Sequence, residues 1–310
     1  MKQAYLIIAH NKFEQLKYLI ECLDNINNDI YIFVDKKSNI SEDVKGKIKN
    51  TPKFSNLYFT KRIPVYWGTH SQIDAELILF EESFEKNKYS YYHLLSGVDL
   101  PLQNSKYIYK FFDNNPNKIF ITNVADNIYY ENKIYRRIKY KHLFPNLSER
   151  RFNSSLLQFF IRKYRRLEEV IQKICNVDYR KKYNIGNGYA SNWLSLDEET
   201  VDLLVKDISN IKKIYKNTLI TDELFIPIFI KKHNLEYKIY HKEKWNGFKG
   251  EFQGNLRYIN WWDGSPHTWT DSKEDINQLE YAIETGHLFS RKFDLEKYPK
   301  LKEYIATKIK

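Results

Sequence analysis

Three side chains hold most of the chemistry that this chain could perform: Glu223 in "ITDELF", Arg257 in "NLRYINW" and Lys292 in "GHLFSRKFD". A carboxylate at a helix start can take a proton from an attacking hydroxyl. Two fixed cations can neutralise a departing diphosphate. The sequence contains no Asp-x-Asp, the pair that usually seats a divalent ion beside such a leaving group, so Arg257 and Lys292 would do the work of that ion. The combination points to metal-independent glycosyl transfer from a phosphate-linked donor. An inverting transfer needs one base opposite the leaving group and no covalent nucleophile. Each residue also has a plainer reading. Thr221 or Asp222 can cap a helix whose first-turn acids suit its dipole, and any one cation among 50 Lys and Arg can be ordinary surface.

Further candidates lie where buried strands should end. His10 follows the apolar run 4–9, Asp35 follows 29–34, and residues 96–99 follow 89–95. Asp35 can accept hydrogen bonds from a uracil N–H or a ribose hydroxyl, or can simply bond its own turn. In "VYWGTHS", Trp67 could stack on a base or sugar and Gly68 would let a ligand approach the backbone. The alternative is a turn with a core Trp, before a helix capped by Ser71 or Thr69. Asp99 is held rigidly ahead of Leu100-Pro101, either as a ligand for sugar hydroxyls or as a turn acid.

The elements that must position these residues alternate. Strand-like runs at 4–9, 29–34, 56–60, 89–95 and 118–122 are separated by helical patterns, such as Phe13, Leu16, Ile20 and Leu23. This βαβ rhythm predicts an α/β fold: a Rossmann-like, twisted, mostly parallel sheet with helices on both faces. Ligands in such sheets sit at the carboxyl ends of strands. Residues 123–182 break the rhythm with polar, basic, Tyr-rich sequence and read as an insertion or lid. Within it Phe160, Tyr164, Leu167, Ile171 and Ile174 form a helical stripe, with Arg162, Lys163, Arg165, Arg166 and Lys173 off it. After residue 183 the α/β pattern resumes, with helices from about 197, 221, 272 and 295 and a strand at 235–241. One compact catalytic unit over 1–310 is expected.

Residues 133–182 carry fifteen Lys or Arg against four acids, an excess that matches the net charge of +11 for the whole chain. The remainder is near neutral, so the basic stretch reads as a site for one local anionic partner and not as a general nucleic-acid surface. Cys22 and Cys175 are too few for a disulfide framework or a zinc site and read as two buried free thiols. The opening residues do not read as a signal peptide. No apolar run approaches the roughly 20 residues of a membrane span, so a cytoplasmic protein is expected. Phosphate-loop, dinucleotide and zinc-protease motifs are missing from the sequence.

Taken in order, "AYLIIAHNKFEQLKYLI", "IYIFVDKKS", "VYWGTHSQIDAEL", "YYHLLSGVDLPL", "NGYASNWLSL", "ITDELFIPIFI" and "LRYINW…GHLFSRKFD" resemble the core-2/I-branching β-1,6-N-acetylglucosaminyltransferases and their O-xylosyltransferase relatives, glycosyltransferase family 14. The resemblance spans most of the chain apart from residues 123–182. It implies a GT-A-type fold, inversion at the anomeric carbon and no cofactor or metal, with a UDP-sugar as substrate. GlcNAc is the first sugar to expect and xylose the second. By position it makes Glu223 the general base. It places Arg257 and Lys292 on the donor diphosphate and Asp35 on the uracil, with His10, Trp67 and Gly68 nearby. Asp99 and Trp193 fall on the sugar or acceptor side. Residues 1–122 become the nucleotide-sugar half and 183–310 the catalytic and acceptor half.

The chain lacks the membrane anchor, the many disulfides and the stem of the animal enzymes. That departure implies a bacterial-type member acting in the cytoplasm on a polysaccharide or lipid-linked glycan. The basic stretch would then rest on anionic lipid at the inner face of the membrane or on a pyrophosphate-bearing acceptor, unless it is a solvated basic helix packed by its apolar stripe. Two rivals carry less of the sequence. A non-catalytic carbohydrate-binding protein has no use for a diphosphate clamp, and an RNA-binding protein leaves the ordered blocks without an account.

Overall fold

Two seven-residue apolar runs, Gln3–Ala9 (β1) and Asn28–Val34 (β2), set the architecture, because both are buried almost throughout. In the computed structural model, which describes residues 1–147, 152–263 and 266–309, they pair in parallel. The central sheet has five strands in the order β3-β2-β1-β4-β6, with Asn56–Phe59 as β3, Tyr91–Ser96 as β4 and Ser195–Asp197 as β6. All pairs are parallel except β4 with β6. A smaller sheet joins Leu100–Pro101 (β5), Phe289–Arg291 (β8) and Arg257–Ile259 (β7), in that order.

Alternate side chains of a strand point to opposite faces, and here both faces are covered. Ala4, Leu6, Tyr31 and Phe33 enter a core with the helices Ser71–Lys86 and Asp222–Lys232. Tyr5, Ile7, Ile30 and Ile32 enter a second core with Phe13–Leu23, Ser105–Asp113, Lys273–Glu284 and Lys300–Ile309. Burial on both sides is why these strands read as unbroken apolar runs. The expected α/β class and the helices on both faces are found.

Four local expectations fail. Residues 235–241 are not a strand but contain a 3-10 turn, Glu236–Lys238. The buried Lys238 ammonium is ion-paired with Asp197 and lies 2.7 Å from Glu199, which ties the chain across the end of β6. Residues 118–122 form single bridges, Ile119 to Ile239 and Phe120 to Ser195, instead of a ladder. The Ser71–Lys86 helix has no side-chain cap, since the Ser71 hydroxyl accepts from Tyr66 N instead. Cys22 is buried and Cys175 exposed, both unpaired.

The basic stretch, of which residues 148–151 lie outside the described residues, is partly helical as expected. Its main element is Ser155–Ile174, capped by the Ser154 side chain. That helix is turned opposite to a packed stripe: Phe160 is 58%, Leu167 57%, Ile171 52% and Ile174 78% exposed. Its inward face is mostly polar. Glu168 accepts from Leu143 N at 2.7 Å and lies 2.6 Å from His142 Nδ1 and 3.1 Å from Arg165. Gln172 bonds both Lys141 N and Lys141 O. Among the described residues, no helix is long and apolar enough to cross a membrane.

Candidate active site

Glu223 sits in the first turn of the Asp222–Lys232 helix. Within that helix Pro227 has no N–H to give, so the Glu223 carbonyl four residues earlier lacks its usual partner. Ala190 N takes it at 3.0 Å. The freed carbonyl thereby docks an extended segment alongside the helix, and Gly188 permits the approach. A Cβ at 188 would lie 2.8 Å from Ile228 N and 2.9 Å from Pro227 C. Docking brings Tyr189 to the Glu223 side chain, and burial together with that carboxylate raises the pKa of the Tyr189 phenol.

The other side of Glu223 is met by the basic stretch. Arg137 Nη1 donates to Glu223 Oε2 at 2.8 Å and to Ile220 O at 3.3 Å, and its guanidinium lies 5.7 Å from the Tyr189 ring centre. A cavity of about 320 Å³ opens onto Glu223, lined by Tyr189, Ser191, Asn132, Gln253, Trp245 and Trp261. Hydroxyl and amide groups between two indoles suit a sugar. Thr221 gives no side-chain cap and bonds Thr218 instead, while Asp222 and Glu223 do stand in the first turn, where acids suit the helix dipole.

Those acids form a row. Asp222 accepts from Gln72 Nε2 at 3.0 Å, and burial together with Glu223 pushes its pKa up to about 6. Behind it Glu76 is fully buried and bonded by Asn192 at 3.2 Å. Burial and Asp222 hold the pKa of Glu76 well above the usual carboxylate range. The turn carrying Trp67 and Gly68 is laid against the same helix start, with Ile220 N donating to Gly68 O and Thr69 bridged to Leu219. Gly68 adopts φ 75°, a left-handed conformation that favours glycine, and Trp67 is half exposed beside it.

At the carboxyl ends of the strands, Asp35 Oδ1 accepts from Lys37 N and Val65 N, so its turn-forming reading is realised. Its second oxygen lies 3.6 Å from the Lys37 ammonium. His10 is exposed at the end of β1, and partial burial, with Lys37 adding to it, lowers its pKa against the pull of Asp35. Lys292 follows β8, with its pKa lowered by burial and by the neighbouring cations Arg291 and Lys12. These three cations neighbour one another where β1 and β8 end, but Lys12 is ion-paired with Asp294 and Arg291 is buried beside Asp99.

Arg257 is not among them. Its side chain is fully buried and donates to Ser195 Oγ at 2.9 Å, Leu194 O at 2.8 Å, Asn255 O at 2.5 Å and Leu94 O at 3.4 Å. Burial pulls its pKa down to about 9. As placed, it cannot meet a diphosphate at the surface. Asp99 is likewise fully buried, accepting from Ser96 N at 3.0 Å with Arg291 Nε 3.5 Å away, and offers no oxygen to a sugar. Trp193 stacks under Arg291, whose guanidinium lies 4.2 Å from its ring centre.

Sequence reading missed Arg137, Tyr189, Arg291 and the buried Glu76. Tyr189, Arg291 and Glu76 stand inside quoted blocks, and Arg291 is the immediate neighbour of Lys292. Nothing in the sequence marks Arg137 among the fifteen cations of its stretch. Residues 264–265 of the aromatic turn lie outside the described residues. Among those described, no three His, Cys, Asp or Glu side chains are grouped to hold a metal ion.

Residues 3–281 match the family model of the core-2/I-branching enzymes. No curated protein matches the chain by sequence. Among solved structures, mouse xyloside xylosyltransferase 1 in its apo form is 10% identical over 94% of this chain and 97% of that one, with a TM-score of 0.38. The S. aureus TarS 1-349 complex with UDP is 10% identical over 40% of this chain, with a TM-score of 0.29, and the match spans only 36% of the TarS chain. The Aspergillus fumigatus core-mannan synthase A in its Mn/GDP form is 13% identical over 74% of this chain and 70% of that one, with a TM-score of 0.29. Similarities at those TM-scores carry no weight for the chemistry.

Proposed function

Since this chain belongs to the core-2/I-branching enzyme family and is a glycosyltransferase, we propose that it transfers a sugar from a UDP-sugar to a hydroxyl of a glycan or lipid-linked glycan, with inversion and without a metal. GlcNAc is the favoured sugar and xylose the second. The observation that carries this reading is Glu223: a carboxylate fixed by Arg137 and opening onto a cavity lined by two Trp, a Tyr and amide side chains.

In this reading Glu223 takes the proton of the acceptor hydroxyl as its oxygen attacks the anomeric carbon. The bond from that carbon to the β-phosphate oxygen breaks, and UDP leaves with the electron pair. Lys292 offsets the charge gained by the diphosphate, so the cationic role first given to Arg257 rests on this strand-end residue, with Arg291 buried beside Asp99 and Lys12 paired with Asp294 behind it. Asp35, His10, Trp67 and Gly68 form the nucleotide side. Permanent cations preorganised at the leaving group supply the stabilisation that a metal supplies elsewhere.

Glu223→Gln should lower turnover by about 10²- to 10⁴-fold while leaving UDP affinity nearly unchanged, and saturating chelator should leave wild-type turnover intact. Radiolabelled transfer and calorimetric UDP binding read the two quantities. Undiminished turnover in the variant would remove Glu223 from its role, and chelator-sensitive turnover restored by Mn²⁺ would replace the cations by a metal.

A further inference from the structure

The Ser155–Ile174 helix presents leucines and isoleucines to solvent and polar side chains to the protein. Leu156, Phe160, Leu167, Val170, Ile171 and Ile174 are all exposed, and Ile161 is its only buried apolar residue. Leu143 and Phe144 continue the apolar surface, at 74% and 61% exposure. Contiguous apolar surface of this kind marks an interaction site. Exposed Lys163, Arg166 and Lys173 stand on the same helix.

Beneath the C-terminal half of the helix lies a cavity of about 610 Å³ lined by Lys141, Lys182, Lys213, Lys216 and the same Ile171. Glu168, which also borders it, is already matched by His142 and Arg165. Four lysines therefore line one space, Lys141 with its ammonium bonded to Ile214 O and Lys216 O, and the single carboxylate in that lining is already matched. Burial and Lys182 lower the Lys141 pKa to about 8.

We propose that this helix lies flat on an anionic phospholipid surface, its apolar face among the acyl chains and a headgroup phosphate in the lysine cavity. An amphipathic helix with cations beside its apolar face binds in this way, and each basic residue near an anionic leaflet adds to the attraction. A second copy of the chain fits poorly, because it would set one surplus of eleven positive charges against another. Nucleic acid would supply phosphate but nothing to cover Leu156, Leu167 and Val170. The long helix is joined to the site by ion pairs: Arg136 pairs with its Glu169, and the adjacent Arg137 holds Glu223. A membrane-borne acceptor would thus be met where the base stands. Docking does not depend on the transfer chemistry, so the vesicle test and Glu223→Gln fail separately.

Full-length protein is floated with phosphatidylcholine vesicles with and without phosphatidylglycerol. Binding to the phosphatidylglycerol vesicles should be on the order of tenfold tighter or more and should weaken with salt. The Leu167→Ser/Ile171→Ser double variant should lose on the order of tenfold or more of that affinity with its melting temperature unchanged, since both side chains are exposed. Lys182→Gln/Lys213→Gln should reduce the preference for phosphatidylglycerol over phosphatidylcholine. No flotation with anionic vesicles, or flotation indifferent to the Leu167/Ile171 change, overturns the proposal. So does a lipid-free dimer by sedimentation that the same variant dissociates while vesicles remain unbound.

Discussion

Two helices of this enzyme solve opposite problems. Asp222–Lys232 is apolar nearly all round and buried by Leu224, Phe225, Ile226, Ile228, Phe229 and Ile230, so hydrophobic contact fixes it and its first turn becomes a rigid mount for Glu223. Ser155–Ile174 is amphipathic and held by its polar side, through Glu168, Gln172 and Arg165, while its apolar side stays free. Burial locates a side chain to within a fraction of an ångström. Polar attachment leaves a sticky surface for something else to cover. Short contacts run between the two, of which Arg136–Glu169 and Arg137–Glu223 are the clearest among the described residues.

The contrast can be broken at three points. The largest effect is expected from Gly188→Ala, because the new methyl meets backbone atoms of the buried helix that have nowhere to go. A loss of about 1–3 kcal/mol in urea unfolding is expected, with turnover falling further as Tyr189 leaves Glu223. Unchanged stability would mean that the two segments are not tightly docked. Next, Glu168→Ala strips the partners of Leu143 N and Arg165, which should cost about 1–2 kcal/mol and free the long helix to limited proteolysis while leaving the buried helix protected. Equal protection in both proteins would show that the helix has another attachment.

The smallest effect is in pH. Burial alone would raise the pKa of Glu168, but bonds from Leu143 N, His142 and Arg165 hold it below the usual value. Its contribution is present above the unfolded pKa and is lost as pH falls through the folded one. Asp222 has the opposite sign. Its folded pKa of about 6 lies above the ordinary 3.8, so the folded state binds the extra proton and stability declines as pH rises between those values. Asp222→Asn should flatten that decline in melting temperature, though Glu76 keeps part of it. A decline of the wild-type size in the variant would place the shifted proton elsewhere.

The sheet was legible because strands covered on both faces spell themselves out: residues 4–9 and 29–34 have no polar alternation to misread. The strand-end positions of His10 and Asp35 follow from the same rhythm, whereas the strand ahead of Lys292, Phe289–Arg291, does not. The orientation of the 155–174 stripe did not follow, since periodicity defines a face without saying what it touches. Arg257 and Asp99 misled for a related reason. A charge beside a strand end reads the same whether it faces solvent or backbone carbonyls, and only the packing of β7 against the segment before β6 distinguishes the two cases. Arg137 was invisible because its partner lies 86 positions away.

The interior position of Arg257 governs how inactive variants should be interpreted. One guanidinium bolts together β4, the residues leading into β6 and the start of β7, through three carbonyls and a serine hydroxyl. Cutting it to alanine would strand those oxygens in a dry interior, and the chain would lose its shape before any nucleotide arrived. An inert Arg257→Ala protein would therefore report a broken keystone, and its silence would say nothing about what grips the donor.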